Sequence, residues 1–558
     1  MASELPLLRF RKWLKSSEQG IKLHPSLKIR CHTDGTGYGV FSTADIVEDT
    51  VIMEVPKSSL LSPRTTGISN VLDSADLEPM ISCCLAYLYE RSKGPESPWH
   101  AYIQVCPSVV PISKIWSKQD QSILRGTEVA MVGGTSLKDF QETFMEDVKP
   151  FLKLHAHELG PFSALSFKEF SEGMSVVGSR AFEIDAYHGL AMCPFADMLD
   201  HEVEEHVHFR TTFDVCPECG EAGGCEHDPE ESDDGHGSDG ESQGTDETVD
   251  EVNGRSQRPI APHKVPDGHS AASCTDHNHN HDAGDGEGEE DEDTCDFTVI
   301  RAIPAGSQVY NTYGDLGNDI LLARYGFALR DNPNDRVSLG PETLKLHPGH
   351  QEWWSTNGDN LMRALSPVSL THETLESDSH EAKDGDHRSD SSSTSGSFMD
   401  TGPDGDRDGA EEDGPDIEDA CFLTHSGRPS THTILYLFLT TLPTTDLDRK
   451  SGPEVKAYMQ VLAGTWRYIQ PGRGPLPPYL FLDSVRTCLR VIQSCRAVMQ
   501  HRRDRYPVPY ATLQDDRTDR GYTFAKMVRD NEEAIMMRGE TYLNLLDHSC
   551  QWLLERGN

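Results

Sequence analysis

The chain has 558 residues, and this length predicts two or three structural units, because one hydrophobic core rarely supports so long a chain. Its net charge is −42, but residues 214–296 contribute −23 and residues 371–420 contribute −14, which leaves −5 for the rest. The acidity is therefore confined to two segments, and the composition gives no support for a nucleic-acid-binding surface.

The ends and apolar runs of the chain indicate its compartment. The first residues, MASELPLLRFRKWLK, contain no continuous apolar stretch behind a basic start, so no secretory signal is predicted. The apolar run at 433–442 is about half the roughly 20 residues that a membrane-spanning helix needs. Fourteen cysteines are spread along the chain, as is typical of reduced thiols and not of a disulfide framework. We expect a monomer without membrane association, in the cytoplasm and/or the nucleus.

The first third of the chain changes from strand patterns to helical patterns. Residues 5–20 predict a short amphipathic helix, and residues 27–56 predict short strands separated by glycine-rich and aspartate-containing turns. From 76 to 176, apolar residues recur at spacings of three and four, as in helices that pack on a core. A helical segment is therefore inserted into a β-rich unit.

The rest of the chain returns to strands and then ends in helices. Strand patterns occur at 189–213 and 297–313, and helical patterns fill most of the chain after Leu329. The two acidic segments are poor in large apolar residues, so we expect most of both to be disordered. The predicted units are 1–20, an N-terminal helix; 21–75, the first part of the β-rich core; 76–175, the helical insert; 176–330, the second part of the core, including the acidic insert 214–296; and 331–558, a helical C-terminal domain including the acidic insert 371–420.

Four patches in a fixed order carry a resemblance to a known family: GTGYGVFST at 35–43, GSRAF at 178–182, PFADMLDH at 194–201 and YNTYGDLGNDILLARYGF at 310–327. Together they resemble the SET domain of the Rubisco large-subunit and ribosomal-protein lysine methyltransferases. The segments SPWHAYIQVCP, RYP and EEAIMMRGE are similar to the inserted helical segment and the C-terminal domain of that family. The resemblance implies an α+β fold with a β-rich SET core, an inserted helical segment and an all-α C-terminal substrate-binding domain.

The resemblance also implies a site for S-adenosylmethionine. A dinucleotide-binding G-x-G-x-x-G motif is excluded, because Val40 stands where its third glycine would be. Arg180 would pair with the carboxylate of the cofactor, and Asp200 departs from the asparagine that the family most often has there. The cofactor-binding residues implied by the resemblance are Gly37, Tyr38, Gly39, Ser179, Arg180, Asp197, Asp200, His201 and Tyr313.

Two tyrosines are implied in the chemistry. Tyr313 matches the catalytic tyrosine of the family, and Tyr325 matches an aromatic residue that lines the channel for the substrate lysine. Methyl transfer needs a neutral amine, although free lysine has a pKa near 10.4. An apolar, aromatic channel disfavours the ammonium form, and the hydroxyl of Tyr313 would orient the amine. The family alignment implies no metal for this step.

A cysteine and histidine cluster follows the second strand region. Cys216, Cys219, Cys225 and His227 have the spacing C-x2-C-x5-C-x-H, and these residue types are those that Zn²⁺ prefers. A bound ion would close the ends of the acidic insert 214–296. A reduced cysteine cluster on a mobile loop is the alternative, and the sequence leaves both open.

We therefore expect a protein-lysine N-methyltransferase that acts on a non-histone substrate, with a basic ribosomal protein favoured. The acidic segments would attract such a substrate at low salt. Two other functions stay open at this point: a catalytically silent SET module that binds a partner protein, and a methyltransferase of the same fold that modifies histidine.

Overall fold

A computed structural model describes the chain over residues 4–16, 18–32, 37–213, 215–222, 225–227, 293–365, 417–447, 449–450, 452–471, 481–513, 517 and 519–556. The greater part of both predicted disordered segments lies outside the described residues. Within the described part, no helix is both long and apolar enough to cross a membrane.

The strands of the described residues are β1 (Lys22–Leu23), β2 (Leu27–Cys31), β3 (Tyr38–Ser42), β4 (Val51–Pro56), β5 (Ala181–Glu183), β6 (Leu190–Met192), β7 (Asp200–His201), β8 (Val207–Arg210), β9 (Thr294–Val299), β10 (Tyr310–Asn311), β11 (Val337–Ser338) and β12 (Phe422–Leu423). They form one six-stranded sheet, in the order β1-β4-β9-β8-β10-β7, and three two-stranded sheets, β2-β3, β5-β6 and β11-β12. In the larger sheet β10 is parallel to β7 and β8, and the other pairs are antiparallel.

Helices form the insert and most of the C-terminal third. They are α1 (Glu4–Leu14), α2 (Ser69–Asp73), α3 (Pro79–Lys93), α4 (His100–Ile103), α5 (Lys118–Leu124), α6 (Glu128–Met131), α7 (Lys138–Thr143), α8 (Lys149–Leu154), α9 (Ala156–Leu159), α10 (Phe167–Gly178), α11 (Asn318–Ile320), α12 (Gly340–Leu346), α13 (Gln351–Leu365), α14 (Ile417–Ala420), α15 (Thr431–Leu439), α16 (Thr444–Leu447), α17 (Gly452–Ile469), α18 (Leu482–Arg503) and α19 (Arg520–Arg556). The C-terminal helices enclose a core of their own, which includes the fully buried Trp466.

Short strands carry the patches that the sequence singled out. β7 consists of Asp200 and His201, and it pairs in parallel with Tyr310 and Asn311 of β10. Tyr313 follows β10 by two residues, so this pairing brings the end of one patch beside the end of another. The pairing of β7 with β10 thus assembles a site from segments more than 100 residues apart in the sequence.

Helix α10 delivers a third patch to the same place. Its N-terminus has a capping box, in which the Ser166 hydroxyl accepts from the Glu169 backbone and the Glu169 carboxylate accepts from the Ser166 backbone. The helix packs along α3 of the insert, with Phe170 fully buried between them. It ends at Gly178, so Ser179 and Arg180 emerge directly at the edge of β5.

The described residues include parts of both acidic segments: 215–222, 225–227 and 293–296 of the first, and 417–420 of the second. β9 begins at Thr294, where Cys295 is buried and pairs with Val55 of β4. Residues 417–420 form α14, and Ala420 is buried. The net charge of a segment does not reveal such residues, because a few apolar positions at the edge of an acidic run are enough to form a strand pair or to pack a helix.

A buried ionic cluster joins the insert to the C-terminal helices. Arg502, in α18, is fully buried and lies 2.7 Å from Glu128 of α6 and 3.4 Å from Glu532 of α19. The Tyr506 hydroxyl donates to Glu532, so the RYP and EEAIMMRGE patches meet at this point. Val528 of α19, one helical turn before Glu532, belongs to a small apolar cluster that also includes Leu124.

Stability should depend on pH through Glu532. Burial raises the pKa of this carboxyl to about 7, so the folded chain holds a proton that the unfolded chain has lost between about pH 4.5 and 7. The free energy of unfolding should fall as the pH rises through that window. Glu532→Gln keeps the shape of the side chain and should flatten this slope, measured by urea unfolding at several pH values.

The control for this prediction is Glu540→Gln. Glu540 lies in the same helix as Glu532, and the substitution removes its partly exposed ion pair with Arg503 of α18. Surface ion pairs contribute little to the free energy of unfolding, so the pH slope of this variant should match that of the wild type. An unchanged slope in Glu532→Gln would contradict the assignment.

Candidate active site

Two adjoining cavities lie where β5, β7, β8 and β10 meet. One has a volume of about 380 Å³ and the other of about 160 Å³. Five residues line both cavities, and we call this shared lining the wall: Ser179, Arg180, Asp197, Tyr313 and Tyr325. We call the first the large cavity and the second the small cavity.

Arg180 and Asp197 form a buried ion pair in this wall. Nη1 of Arg180 donates to Oδ2 of Asp197 at 3.0 Å and to its backbone carbonyl at 2.7 Å. The Tyr102 hydroxyl, from the insert, donates to the same Oδ2 at 2.9 Å. Burial raises the pKa of Asp197, although Arg180 beside it favours the ionised form.

Three buried polar atoms in and beside the wall have no partner among the described residues. Two belong to the wall, Nε of Arg180 and Oδ1 of Asp197, and the third is Nε2 of His201, whose ring stacks on Tyr313. An unsatisfied buried donor or acceptor costs about 1–3 kcal/mol, so such atoms are rare unless a ligand or water satisfies them. Three of them within one small region indicate a site that binds a polar ligand.

His201 has a defined tautomer. Its Nδ1 accepts a hydrogen bond from the Tyr313 backbone N–H at 3.1 Å, and burial lowers its pKa, so the ring is neutral at neutral pH. The ring proton is therefore on Nε2, which is the buried atom without a partner. His201 is not among the residues that line the cavities, and its predicted contact with the cofactor stays a prediction.

Tyr313 is held at the centre of the wall by its ring and its hydroxyl. The ring stacks on His201, with centroids 5.2 Å apart, and on Tyr325, with centroids 4.7 Å apart. The hydroxyl donates to the Leu199 carbonyl at 2.9 Å. Burial raises the pKa of Tyr313, so the hydroxyl is protonated at neutral pH and its lone pairs stay available as acceptors.

The glycines of the GTGYG patch have two different roles. Gly37 lines the small cavity with φ of +150°, and a Cβ there would enter open space, so its absence leaves room in that cavity. Gly39 lines neither cavity. A Cβ on it would lie 2.8 Å from both Gln308 and His32, so this glycine makes room for protein side chains.

The side chains of His32 and Gln308 explain why an aspartate suits position 200, where the family most often has asparagine. Asp200 Oδ2 lies 3.1 Å from His32 Nε2 and also accepts from the Gln308 amide. An ionised carboxylate can only accept hydrogen bonds, and both neighbours can donate. Asp200 and Tyr38 line the small cavity, as does His32.

Several lining residues were not predicted. His208 and Phe209 of β8, and Phe182 and Glu183 of β5, line the large cavity, whereas Phe327 lines the small one. Phe182 and Glu183 follow Arg180 by two and three residues, so proximity in the sequence could have suggested them. His208 and Phe209 are brought there by sheet pairing alone.

The predicted zinc ligands lie outside both cavities. Cys216, Cys219, Cys225 and His227 come together after β8, with their ligand atoms all within 4.8 Å of one another. They contribute no side chain to the walls of either cavity.

The sequence is similar to proteins that are named as lysine N-methyltransferases. The chain is 26% identical over 389 residues to ribosomal lysine N-methyltransferase 3 of Saccharomyces cerevisiae, covering 63% of this chain and 68% of the yeast protein. It is 27% identical over 177 residues to the Rubisco large-subunit N-methyltransferase of Nicotiana tabacum, covering 31% of this chain and 35% of that protein. No protein-family model matches the chain.

The fold is similar to that of solved structures. A Rubisco LSMT bound to sinefungin and monomethyllysine superposes with a TM-score of 0.56 at 15% identity, covering 99% of this chain and 95% of that one. The chain has the SET fold. The SET domain of LSMT bound to lysine and AdoHcy matches with a TM-score of 0.55, covering 98% and 91% of the two chains.

These matches confirm the predicted resemblance to SET-domain lysine methyltransferases and the predicted α+β fold class. In the SET fold of this chain, the four patches of the sequence meet at the two cavities. The roles predicted for individual site residues rest on the family motifs and on the geometry described above.

Proposed function

We propose that this protein is a protein-lysine N-methyltransferase that uses S-adenosylmethionine. The observation that carries the proposal is that Arg180, Asp197, Tyr313 and Tyr325 line both of the adjoining cavities. A reaction between two bound molecules needs binding sites that meet, because the reacting atoms must come into direct contact. The named activities of the sequence relatives support it.

The lining of the small cavity suits the methionine end of the cofactor by its chemistry. Arg180 offers an unpartnered, buried Nε for a carboxylate, and Asp197 Oδ1 offers an acceptor for an ammonium group. The missing side chain of Gly37 leaves space beside Tyr38. When bound there, S-adenosylmethionine would supply an electrophilic methyl group on a cationic sulfur.

The large cavity suits a lysine side chain. Phe182, Phe209, Tyr313 and Tyr325 give it an aromatic lining, which disfavours a charged ammonium and so favours the neutral amine that methylation requires. The Tyr313 hydroxyl is fixed by its bond to the Leu199 carbonyl, and its lone pairs can accept from the amine. Tyr313 therefore acts by positioning the amine and does not act as a base, because it is protonated.

The substrate class is the finer part of the proposal. A basic ribosomal protein is favoured, because one sequence relative is named as a ribosomal lysine N-methyltransferase and because the acidic segments would attract a basic partner. The test is transfer of a tritiated methyl group to ribosomal and whole-cell extracts, followed by mass spectrometry of the labelled protein. Methyl-histidine in the product would contradict lysine as the acceptor.

Binding of S-adenosylmethionine, measured by calorimetry, tests the cofactor separately from the substrate. A catalytically silent module need not bind it, so absence of binding would contradict the proposed enzyme. We also propose a location in the cytoplasm and/or the nucleus, supported by the free thiols of buried cysteines such as Cys83 and Cys295. Fractionation of cells that express the tagged chain tests this location.

A further inference from the structure

A second group of ligating side chains lies on the segment that leaves β8. Cys216, Cys219, Cys225 and His227 have one ligand atom each within 4.8 Å of all the others. In a tetrahedral zinc site, neighbouring ligand atoms are separated by about 3.3–3.8 Å, as follows from Zn–S and Zn–N bonds of about 2.3 and 2.0 Å. The Cys225 Sγ to His227 Nδ1 distance of 3.7 Å already has this value. The remaining distances, none above 4.8 Å, need to close by about 1.5 Å at most.

The backbone around Cys216 is arranged to stabilise a thiolate. In the sequence Cys-Pro-Glu-Cys-Gly, the Gly220 N–H donates to the Cys216 carbonyl at 2.8 Å, and Gly220 has φ of +79°, so the chain turns tightly here. This turn directs the backbone N–H groups of Glu218 and Cys219 at Cys216 Sγ. Such donors compensate the negative charge that a metal-bound sulfur carries.

The cluster is docked against the core beside the large cavity. Arg64 donates through Nη2 to the Pro217 carbonyl at 3.4 Å and through Nε to the Tyr187 carbonyl at 3.1 Å. Gly220 lies so close to the Tyr187 ring that a Cβ would come within 2.9 Å of it. Tyr187 lies in the turn between β5 and β6, and β5 lines the large cavity.

Lys57 contacts the turn between β5 and β6 and also both ends of the acidic insert 214–296. This buried side chain lies 2.6 Å from Asp185 in the β5–β6 turn and 2.9 Å from Asp293, which precedes β9. It also donates to the Thr212 carbonyl, which follows β8, at 3.0 Å. The segment that holds the cluster therefore begins and ends at one anchored point.

We propose that Cys216, Cys219, Cys225 and His227 bind one structural zinc ion, which fixes the segment after β8 against the β5–β6 turn. Four ligands of protein origin fill a tetrahedral coordination, so no position is left open for a substrate or a reactive water. The ion would hold β5 and β8, which supply Phe182, His208 and Phe209 to the large cavity, in a fixed relation. The site does not depend on the proposed enzymatic function.

The first measurement is the metal content of the full chain, expressed with zinc in the medium and purified without chelator. We expect close to one zinc ion per chain. The double variant Cys216→Ser and Cys219→Ser should lose the ion, because serine is a poor zinc ligand. Cys31→Ser is the matched control, since Cys31 is also an exposed, free cysteine but lies in β2, and it should keep the ion.

A second measurement uses Co²⁺ as a probe on chain from which the metal has been removed. Tetrahedral coordination with three thiolates should give intense visible absorption and a thiolate-to-cobalt charge-transfer band, and zinc should displace both. His227→Ala should weaken and alter the visible bands while keeping thiolate charge transfer. Zinc should also raise the melting temperature of the metal-free wild type and leave that of the double variant unchanged.

Two results would overturn the site. One is metal-free wild-type chain that binds neither Zn²⁺ nor Co²⁺ under reducing conditions. The other is retention of the ion by the double variant. Wild-type chain that holds zinc but transfers no methyl group would overturn the proposed function and leave the zinc site standing, so the two failures are distinguishable.

Discussion

Tyr313→Phe should lower the turnover of methyl transfer by a factor on the order of 10² while leaving the affinity for S-adenosylmethionine nearly unchanged. The ring stack between His201 and Tyr325 survives in the variant, because phenylalanine keeps the ring. What is lost is the hydroxyl that the Leu199 carbonyl holds in place. Single-turnover rates and calorimetric binding on the same preparation measure the two effects.

Tyr325→Phe is the control for Tyr313→Phe. Tyr325 lines both cavities and stacks on Tyr313, and its expected effect is a smaller loss or a change in the number of methyl groups added. Mass spectrometry of the product distinguishes these outcomes. A Tyr313→Phe variant that methylates at nearly the wild-type rate would refute the assignment of Tyr313 and the motif alignment on which it rests.

Arg180→Met should abolish cofactor binding and also destabilise the fold. Removing the guanidinium leaves the Asp197 carboxylate buried without its cationic partner, and breaking a buried ion pair in this way costs about 3–5 kcal/mol. Methionine fills a similar volume, so the loss reflects the charge more than a cavity. Urea unfolding and calorimetry measure the two losses.

The double variant Arg180→Met with Asp197→Asn separates these effects. Asparagine removes the uncompensated charge, so stability should recover by a large part of the loss. Cofactor binding should stay lost, because the donor for the carboxylate is still missing. If the double variant binds S-adenosylmethionine as well as wild type does, Arg180 acts only in the fold.

Site residues can be predicted from the sequence where they lie in a short local motif. Tyr313 and Arg180 lie in short patches whose order along the chain is specific, and the structure brings both to one wall. A helical C-terminal domain was also predicted, and it contains long helices such as Gly452–Ile469 and Leu482–Arg503. Long apolar periodicity makes such elements readable.

Other features depend on approaches between distant segments. The neighbours of Asp200 are His32 of the β2–β3 turn and Gln308 before β10, and no spacing rule links them to it. The α1 helix was predicted to reach residue 20 but ends at Leu14, where the polar residues that follow have no core to cover. Two-residue strands such as β7 and β10 are too short for any alternation of apolar residues to mark them.

The cluster of Glu128, Arg502 and Glu532 has a consequence for biosynthesis. Arg502 lies 374 residues beyond Glu128, and Glu532 lies 404 residues beyond it. These two members of the cluster therefore leave the ribosome long after the helical insert that contains Glu128. Until then the nascent SET core lacks the guanidinium that compensates Glu128 and the apolar residues of α19 that cluster with Leu124. Contacts so distant in sequence close late in folding. A chain truncated after residue 330 would therefore leave this glutamate and the apolar patch around Leu124 open to water, and a recombinant SET core made without the last helices should aggregate.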